Sequence, residues 1–141
     1  MISSIDTNIV STLWSASPQA PHAAALLGQA HEQGGLVICG PVYVELLAHP
    51  KATPEFVDSF LATTRITVEF DLPEIVWRAA GKAFADYSAR RRAQDPSVNG
   101  TKRLLADFLI GAHALHRSDR LLTLDPTRYR TAFPGLKILP A

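Results

Sequence analysis

Cysteine is almost missing from this chain. Cys39 stands alone among 141 residues, so no internal disulfide can form and a reducing compartment is the simplest setting. Long apolar runs are missing too. None approaches the roughly 20 residues that span a bilayer. The N-terminus lacks the charged, then apolar, then small-residue order of a signal peptide, and Asp6 and Asn8 interrupt its first apolar segment early. A cytoplasmic protein that does not use a membrane is expected. There is no excess of one charge: 14 Lys and Arg face 13 Asp and Glu, a net charge of +1, so only the distribution of charge can speak about partners. No glycine-rich phosphate loop is present, because Gly34-Gly35 precedes a strand rather than a helix. The five histidines lack zinc-like spacing. His113 and His116 sit three apart, but no Cys or second His pair completes a tetrahedral set, which leaves structural or surface roles for them. Repeats, low-complexity tracts and long linkers are absent as well.

What remains is one ordinary domain over 1–141, 47% hydrophobic and 19% charged, large enough to bury a core without disulfides. Its elements alternate. Ile2 to Ile5 reads as a short strand ending at Asp6, and Thr7 or Asn8 as the cap of a helix from Ile9. A helix is expected from Pro21 to Gln33, a buried strand over Leu36 to Cys39, and a helix through Val42 to Ala48 opened by Pro41 and stopped by Pro50. Pro54 to Thr63 reads as helix and Ile66 to Phe70 as strand. A long helix from Pro73 through Trp77, Phe84 and Tyr87 fades into Arg90-Arg91-Arg92. The polar segment Asp95 to Gly100 reads as a loop, Lys102 to His116 as helix, and Leu121 to Leu124 and Leu136 to Leu139 as strands. Strands separated by helices argue for an α/β fold, a parallel sheet with helices on both faces. Such sheets place ligand sites at the carboxyl ends of their strands.

Four acids stand out against that frame. Asp6 and Asp125 each follow a predicted strand and so fall at the site-bearing edge. Glu45 lies within the apolar run Val42-Tyr43-Val44-Glu45-Leu46-Leu47, and Asp107 within Leu104-Leu105-Ala106-Asp107-Phe108-Leu109-Ile110. A buried carboxylate must be paired, hydrogen-bonded or metal-bound. Taken singly, Asp6 and Asp125 also suit cap or turn positions, Glu45 can pair with His49, and Asp107 with Arg103. Taken together they repel one another until a divalent cation neutralises them, and an all-oxygen set suits Mg²⁺ or Mn²⁺ rather than zinc. Cys39, inside an apolar strand, reads as core rather than nucleophile. Trp14, Trp77 and the phenylalanines at helical spacing read as core or dimer contacts. The basic residues Arg90, Arg91, Arg92, Lys102 and Arg103 flank the approach to Asp107, either as an RNA-backbone contact or as a solvated helix end.

In Ile5-Asp6-Thr7-Asn8-Ile9, Val44-Glu45-Leu46, Asp107-Phe108-Leu109-Ile110-Gly111-Ala112 and Thr123-Leu124-Asp125, the chain resembles the PIN-domain family, especially the VapC-type toxins of bacterial toxin–antitoxin pairs. The resemblance covers essentially the whole chain. It implies a three-layer α/β/α fold around a parallel sheet of four or five strands. It also implies a metal-dependent endoribonuclease whose Mg²⁺ or Mn²⁺ site is built from Asp6, Glu45, Asp107 and Asp125, with Asn8 and Thr123 bracing the carboxylates. Asp6 and Asp107 would touch the metal directly, Glu45 would bind it or orient water, and Asp125 would serve a second or outer position. A homodimer and a small antitoxin whose tail covers the site are implied too, within a higher toxin–antitoxin assembly. Two departures are visible. Pro126-Thr127 stands where many relatives carry a further acid, which implies weaker metal occupancy on that side. Gly111 replaces a commoner alanine, which implies close approach of a neighbouring helix.

Other functions remain open on the sequence. A housekeeping RNA- or DNA-processing nuclease would share the fold. A catalytically inactive RNA- or antitoxin-binding module would share it too, although four intact acids argue against inactivity. A phosphoacceptor domain would need an acid partner beside Asp6 and a lysine after a late strand, and neither is present.

Overall fold

Three consecutive buried residues, Ser3, Ser4 and Ile5, mark β1 (Ile2–Ile5) as a strand covered on both faces. It is the centre of the fold. On one side it pairs in parallel with β2 (Gly35–Cys39), which pairs in turn with β3 (Ile66–Glu69); on the other it pairs with β4 (Arg120–Leu122), which pairs with β5 (Ile138–Leu139). The order β3-β2-β1-β4-β5 is therefore an all-parallel sheet of five strands. The computed structural model describes residues 1–94 and 105–140.

Helices fill the connections, as parallel pairing demands. They are α1 (Thr7–Ser15), α2 (Ala20–Gln33), α3 (Gly40–Leu47), α4 (Pro54–Thr64), α5 (Glu74–Gln94), α6 (Leu105–Arg117) and the single turn α7 (Thr127–Arg130). Side-chain alternation assigns them to faces. Ser4 points toward α6, where its hydroxyl meets His113 Nδ1 at 3.3 Å, and α5 packs along α6. Leu36, which pairs with Ser3 and so points the other way, is enclosed with Leu13 of α1, Leu27 of α2 and Phe60 of α4. Two helical layers thus sandwich the sheet, the α/β/α arrangement expected from the sequence.

Several boundaries differ for identifiable reasons. The cap of α1 is Asp6 rather than Thr7 or Asn8, and it makes no side-chain capping bond; the helix therefore begins at Thr7 and both residues are freed for other contacts. β4 stops at Leu122 rather than Leu124: Thr123 N still donates to Leu139 O, but the next two amides bond to the side chains of Asn8 and Thr123 instead of to a neighbouring strand. The turn α7 is too short to produce a helical period in sequence. α5 continues through Arg90, Arg91 and Arg92 to Gln94. Trp14 is core, met edge-on by His49, Phe56 and Phe60. Trp77 is not: it is 55% exposed, its indole N–H bonded to Leu72 O. The expected Asp95–Gly100 loop and the Lys102 start of α6 lie outside the described residues.

Candidate active site

The carboxyl edge of β1 delivers Asp6 into the interior. Its amide donates to Leu122 O at 2.9 Å, which locks its position between β1 and β4, and only 3% of the residue is exposed. Its Oδ2 accepts from Thr123 Oγ1 at 2.8 Å and from Tyr129 OH at 2.9 Å. Burial pushes the Asp6 carboxyl up to about 6; the two hydroxyls pull the other way, and the neighbouring Asp107 pushes it further up. Asp107 is in the first turn of α6 and is 6% exposed. The structure therefore brings these two acids together, both withdrawn from solvent.

Asp125 approaches differently. Because β4 ends at Leu122, Asp125 is three residues past the strand rather than at its edge, with its side chain 46% exposed. Arg128 joins it to Asp107: Nη1 lies 3.2 Å from Asp107 Oδ1 and Nε 3.3 Å from Asp125 Oδ2. Burial opposes the charge on Arg128, but the two carboxylates outweigh burial and its pKa is raised. Glu45, on α3, is half-buried and its Oε1 accepts from Thr7 Oγ1. His49, the alternative partner for Glu45, is engaged instead by Ser15 Oγ at 2.9 Å. Among the described residues, no three His, Cys, Asp or Glu side chains are already grouped closely enough to hold a metal ion. The acids share one edge of the sheet, with Asp6 facing Asp107, Asp125 tied in through Arg128, and Glu45 fixed by Thr7.

Asn8 and Thr123 form the hinge of this edge. Thr123 Oγ1, while donating to Asp6, accepts from Asn8 Nδ2 at 3.3 Å and from the Asp125 amide at 3.0 Å. Asn8 Oδ1 accepts from the Leu124 amide at 3.1 Å. Asn8 thus holds the turn after β4 and acts on the carboxylate only through Thr123. Cys39 is wholly buried; burial pushes its thiol up to about 12, with Asp6 and Glu45 adding to the effect, so it stays protonated and is no nucleophile.

Three residues here have no site role in the sequence reading. Thr7 figures there only as a candidate helix cap. Arg128 stands three residues after Asp125, a spacing that brings side chains together on a helical turn and was the available signal. Tyr129 had none, since a lone aromatic reads as core. Gly111 makes room for it: a Cβ there would stand 2.3 Å from the Phe133 ring and 3.1 Å from Tyr129. The close neighbours admitted by Gly111 are thus two aromatic rings, one of them on α7.

Arg90, Arg91 and Arg92 occupy the last turns of α5, with the Arg91 guanidinium 5.7 Å above the Tyr87 ring. Arg90 and Arg91 line a cleft of about 160 Å³ together with Gln94, Phe108 and Thr131, and Phe108 is the residue after Asp107. Lys102 and Arg103 lie outside the described residues, as does the alternative pairing of Asp107 with Arg103.

Comparison with known proteins adds to this geometry. The PIN domain family profile matches residues 4–134. A chain in the crystal structure of VapBC2 from Rickettsia felis bound to a DNA fragment from their promoter superposes with a TM-score of 0.69 at 20% identity, covering 98% of this chain and 97% of that one. A chain in the structure of VapBC-1 from nontypeable Haemophilus influenzae does so with a TM-score of 0.66 at 23% identity, covering 98% and 96%. At such identities the likeness is one of fold. No curated protein sequence matches the chain.

Proposed function

The chain belongs to the PIN domain family, and on that premise we propose that it is a metal-dependent endoribonuclease, the toxin of a toxin–antitoxin pair, whose single domain over 1–141 hydrolyses RNA phosphodiester bonds and restrains translation or growth. PIN domains are nucleases; RNA as substrate and the need for metal belong to this proposal. The observation that carries it is the pair of buried, mutually repelling carboxylates Asp6 and Asp107 at the carboxyl edge of a parallel sheet.

Asp6, Glu45, Asp107 and Asp125 are the proposed ligands of Mg²⁺ or Mn²⁺. The fit rests on their chemistry: the donors are all carboxylate oxygens, which suit a hard divalent cation. Moreover, the Asp6 carboxyl is raised by burial and by Asp107, so a cation beside it would relieve both penalties. When bound, such an ion supplies the charge that activates water and offsets negative charge developing on the phosphate.

The remaining tasks fall to the chain itself. Thr123 and Tyr129 fix the orientation of Asp6 by holding one of its oxygens. Thr7 does the same for Glu45, whose proposed task is to bind the ion or orient the attacking water. The in-line products would be a 5′-phosphate and a 3′-hydroxyl. Arg90 and Arg91 offer contacts to the RNA backbone.

Likeness to chains from VapBC complexes supports a small antitoxin protein as partner. Ile75, Trp77 and Phe84 are exposed on α5, apolar surface of the kind that a second copy would cover in a homodimer. The lone, buried Cys39 supports action in the reducing cytoplasm. Among the described residues no helix is long and apolar enough to cross a membrane.

Incubation of total cellular RNA with the purified protein tests the proposal. Discrete fragments bearing 5′-phosphates are expected with Mg²⁺ or Mn²⁺, and none with EDTA. Equal cleavage in EDTA would remove the metal from the account, and cleavage of DNA alone would remove RNA.

A further inference from the structure

Arg128 carries a permanent positive charge into the acidic site. The two carboxylates that it grips are on different elements, Asp107 at the start of α6 and Asp125 in the turn between β4 and α7, so the guanidinium staples one to the other. Its Nε and Nη1 go to separate acids, and the planar fork of arginine holds these two donors at a fixed separation, whereas the three hydrogens of a lysine ammonium sit on one nitrogen. The Arg128 side chain is 39% exposed, whereas that of Asp107 is 7% exposed. The basic partner thus reaches the site from its solvent side, while the acid is buried.

The acids need such a partner. Asp6 and Asp107 are both withdrawn from water, and carboxylates so placed need hydrogen bonds or a cation beside them. Arg128 supplies that cation from within the chain. The same placement has a cost for any divalent ion. Asp107 Oδ1 and Asp125 Oδ2 are engaged by the guanidinium, and a unit charge a few ångströms away repels a second cation by more than the thermal energy, even at an effective protein dielectric of about 20.

Resting on the metal site proposed above, we infer that Arg128 is an internal counter-ion of that site, which holds Asp107 and Asp125 together when no divalent ion is bound and must give up their oxygens when one binds. Metal affinity is then set by exchange between Arg128 and the ion. The inference concerns Arg128 itself and does not depend on which RNA is cut.

Calorimetric titration of the purified full-length chain with Mn²⁺ alone tests it, together with melting temperatures with and without Mn²⁺, for the wild type, Arg128→Gln and Arg128→Lys. Arg128→Gln is expected to melt lower without metal, to bind Mn²⁺ about tenfold more tightly, and to gain more melting temperature from Mn²⁺ than the wild type does. Arg128→Lys, which keeps the charge but not the fixed fork, is expected to fall between the two. A gain in affinity cannot arise from damage to the fold, so a merely structural role for Arg128 would not produce it. Unchanged or weaker Mn²⁺ binding by Arg128→Gln overturns the inference and leaves the metal site standing. Absence of Mn²⁺ binding by the wild type overturns both.

Discussion

Thr123 Oγ1 donates a 2.8 Å hydrogen bond to Asp6 Oδ2, joining residues 117 positions apart in the chain. The same hydroxyl oxygen accepts from Asn8 and from the Asp125 amide. One side chain thus couples the acid after β1 to the turn that carries Asp125. Replacing Thr123 by valine keeps the shape, but leaves Asn8 Nδ2 and the Asp125 amide without this acceptor. A loss of about 1–3 kcal/mol in stability is expected, read from urea unfolding, together with at least tenfold slower cleavage of RNA. Wild-type stability and rate in Thr123→Val would mean that the hydroxyl positions nothing.

Gly111 gives a second test. Alanine is the better helix former by about 1 kcal/mol, so an exposed helical glycine gains from the change. Here the added Cβ would meet the Phe133 ring at 2.3 Å and Tyr129 at 3.1 Å, and both rings are buried. Overpacking of this kind costs about 1–3 kcal/mol, which exceeds the helical gain. Gly111→Ala is expected to melt below the wild type and, by displacing Tyr129 from Asp6, to lower activity. A variant that melts higher would show that the aromatic pair shifts freely.

His113 is expected to govern part of the acid sensitivity of the fold. It is fully buried beneath Ser4, with Nε2 3.6 Å from Glu69 Oε2. Burial lowers its pKa from 6.5, Arg117 adds to that, and Glu69 opposes it. The folded protein therefore binds this proton less readily than the unfolded chain. The stability contributed by neutral His113 is fully present above about 6.5 and falls as pH drops below it, by at most about 1.4 kcal/mol per pH unit. Urea midpoints measured from pH 7.5 to 5 should fall more steeply for the wild type than for His113→Gln. Parallel lines would assign the acid sensitivity to other groups.

The fold was largely legible from the sequence because its signals are local. Apolar runs such as Leu36 to Cys39 bounded by glycine and proline, and prolines at 41 and 54 opening helices, fix strands and helices without reference to the rest of the chain. The four acids stood out because carboxylates inside apolar segments demand an explanation. What escaped depends on long-range closure. That Arg128 would stand between Asp107 and Asp125, and that Tyr129 would reach Asp6, follows from how one short turn folds back over Gly111. Helical spacing leaves Trp77 as core or dimer contact, and α5 turns it outward, which removes the first alternative, since spacing gives a face and not what covers it.

Asp107, buried beside Asp6, is proposed to serve chemistry rather than structure. The most direct measurement is cleavage of total cellular RNA in Mn²⁺ by the wild type and by Asp107→Asn, with melting temperatures recorded for both. Asp107→Asn is expected to stay folded, melting within a few degrees of the wild type, and to lose at least a hundredfold in cleavage rate. A folded Asp107→Asn that cuts the same RNA at the wild-type rate would contradict that role.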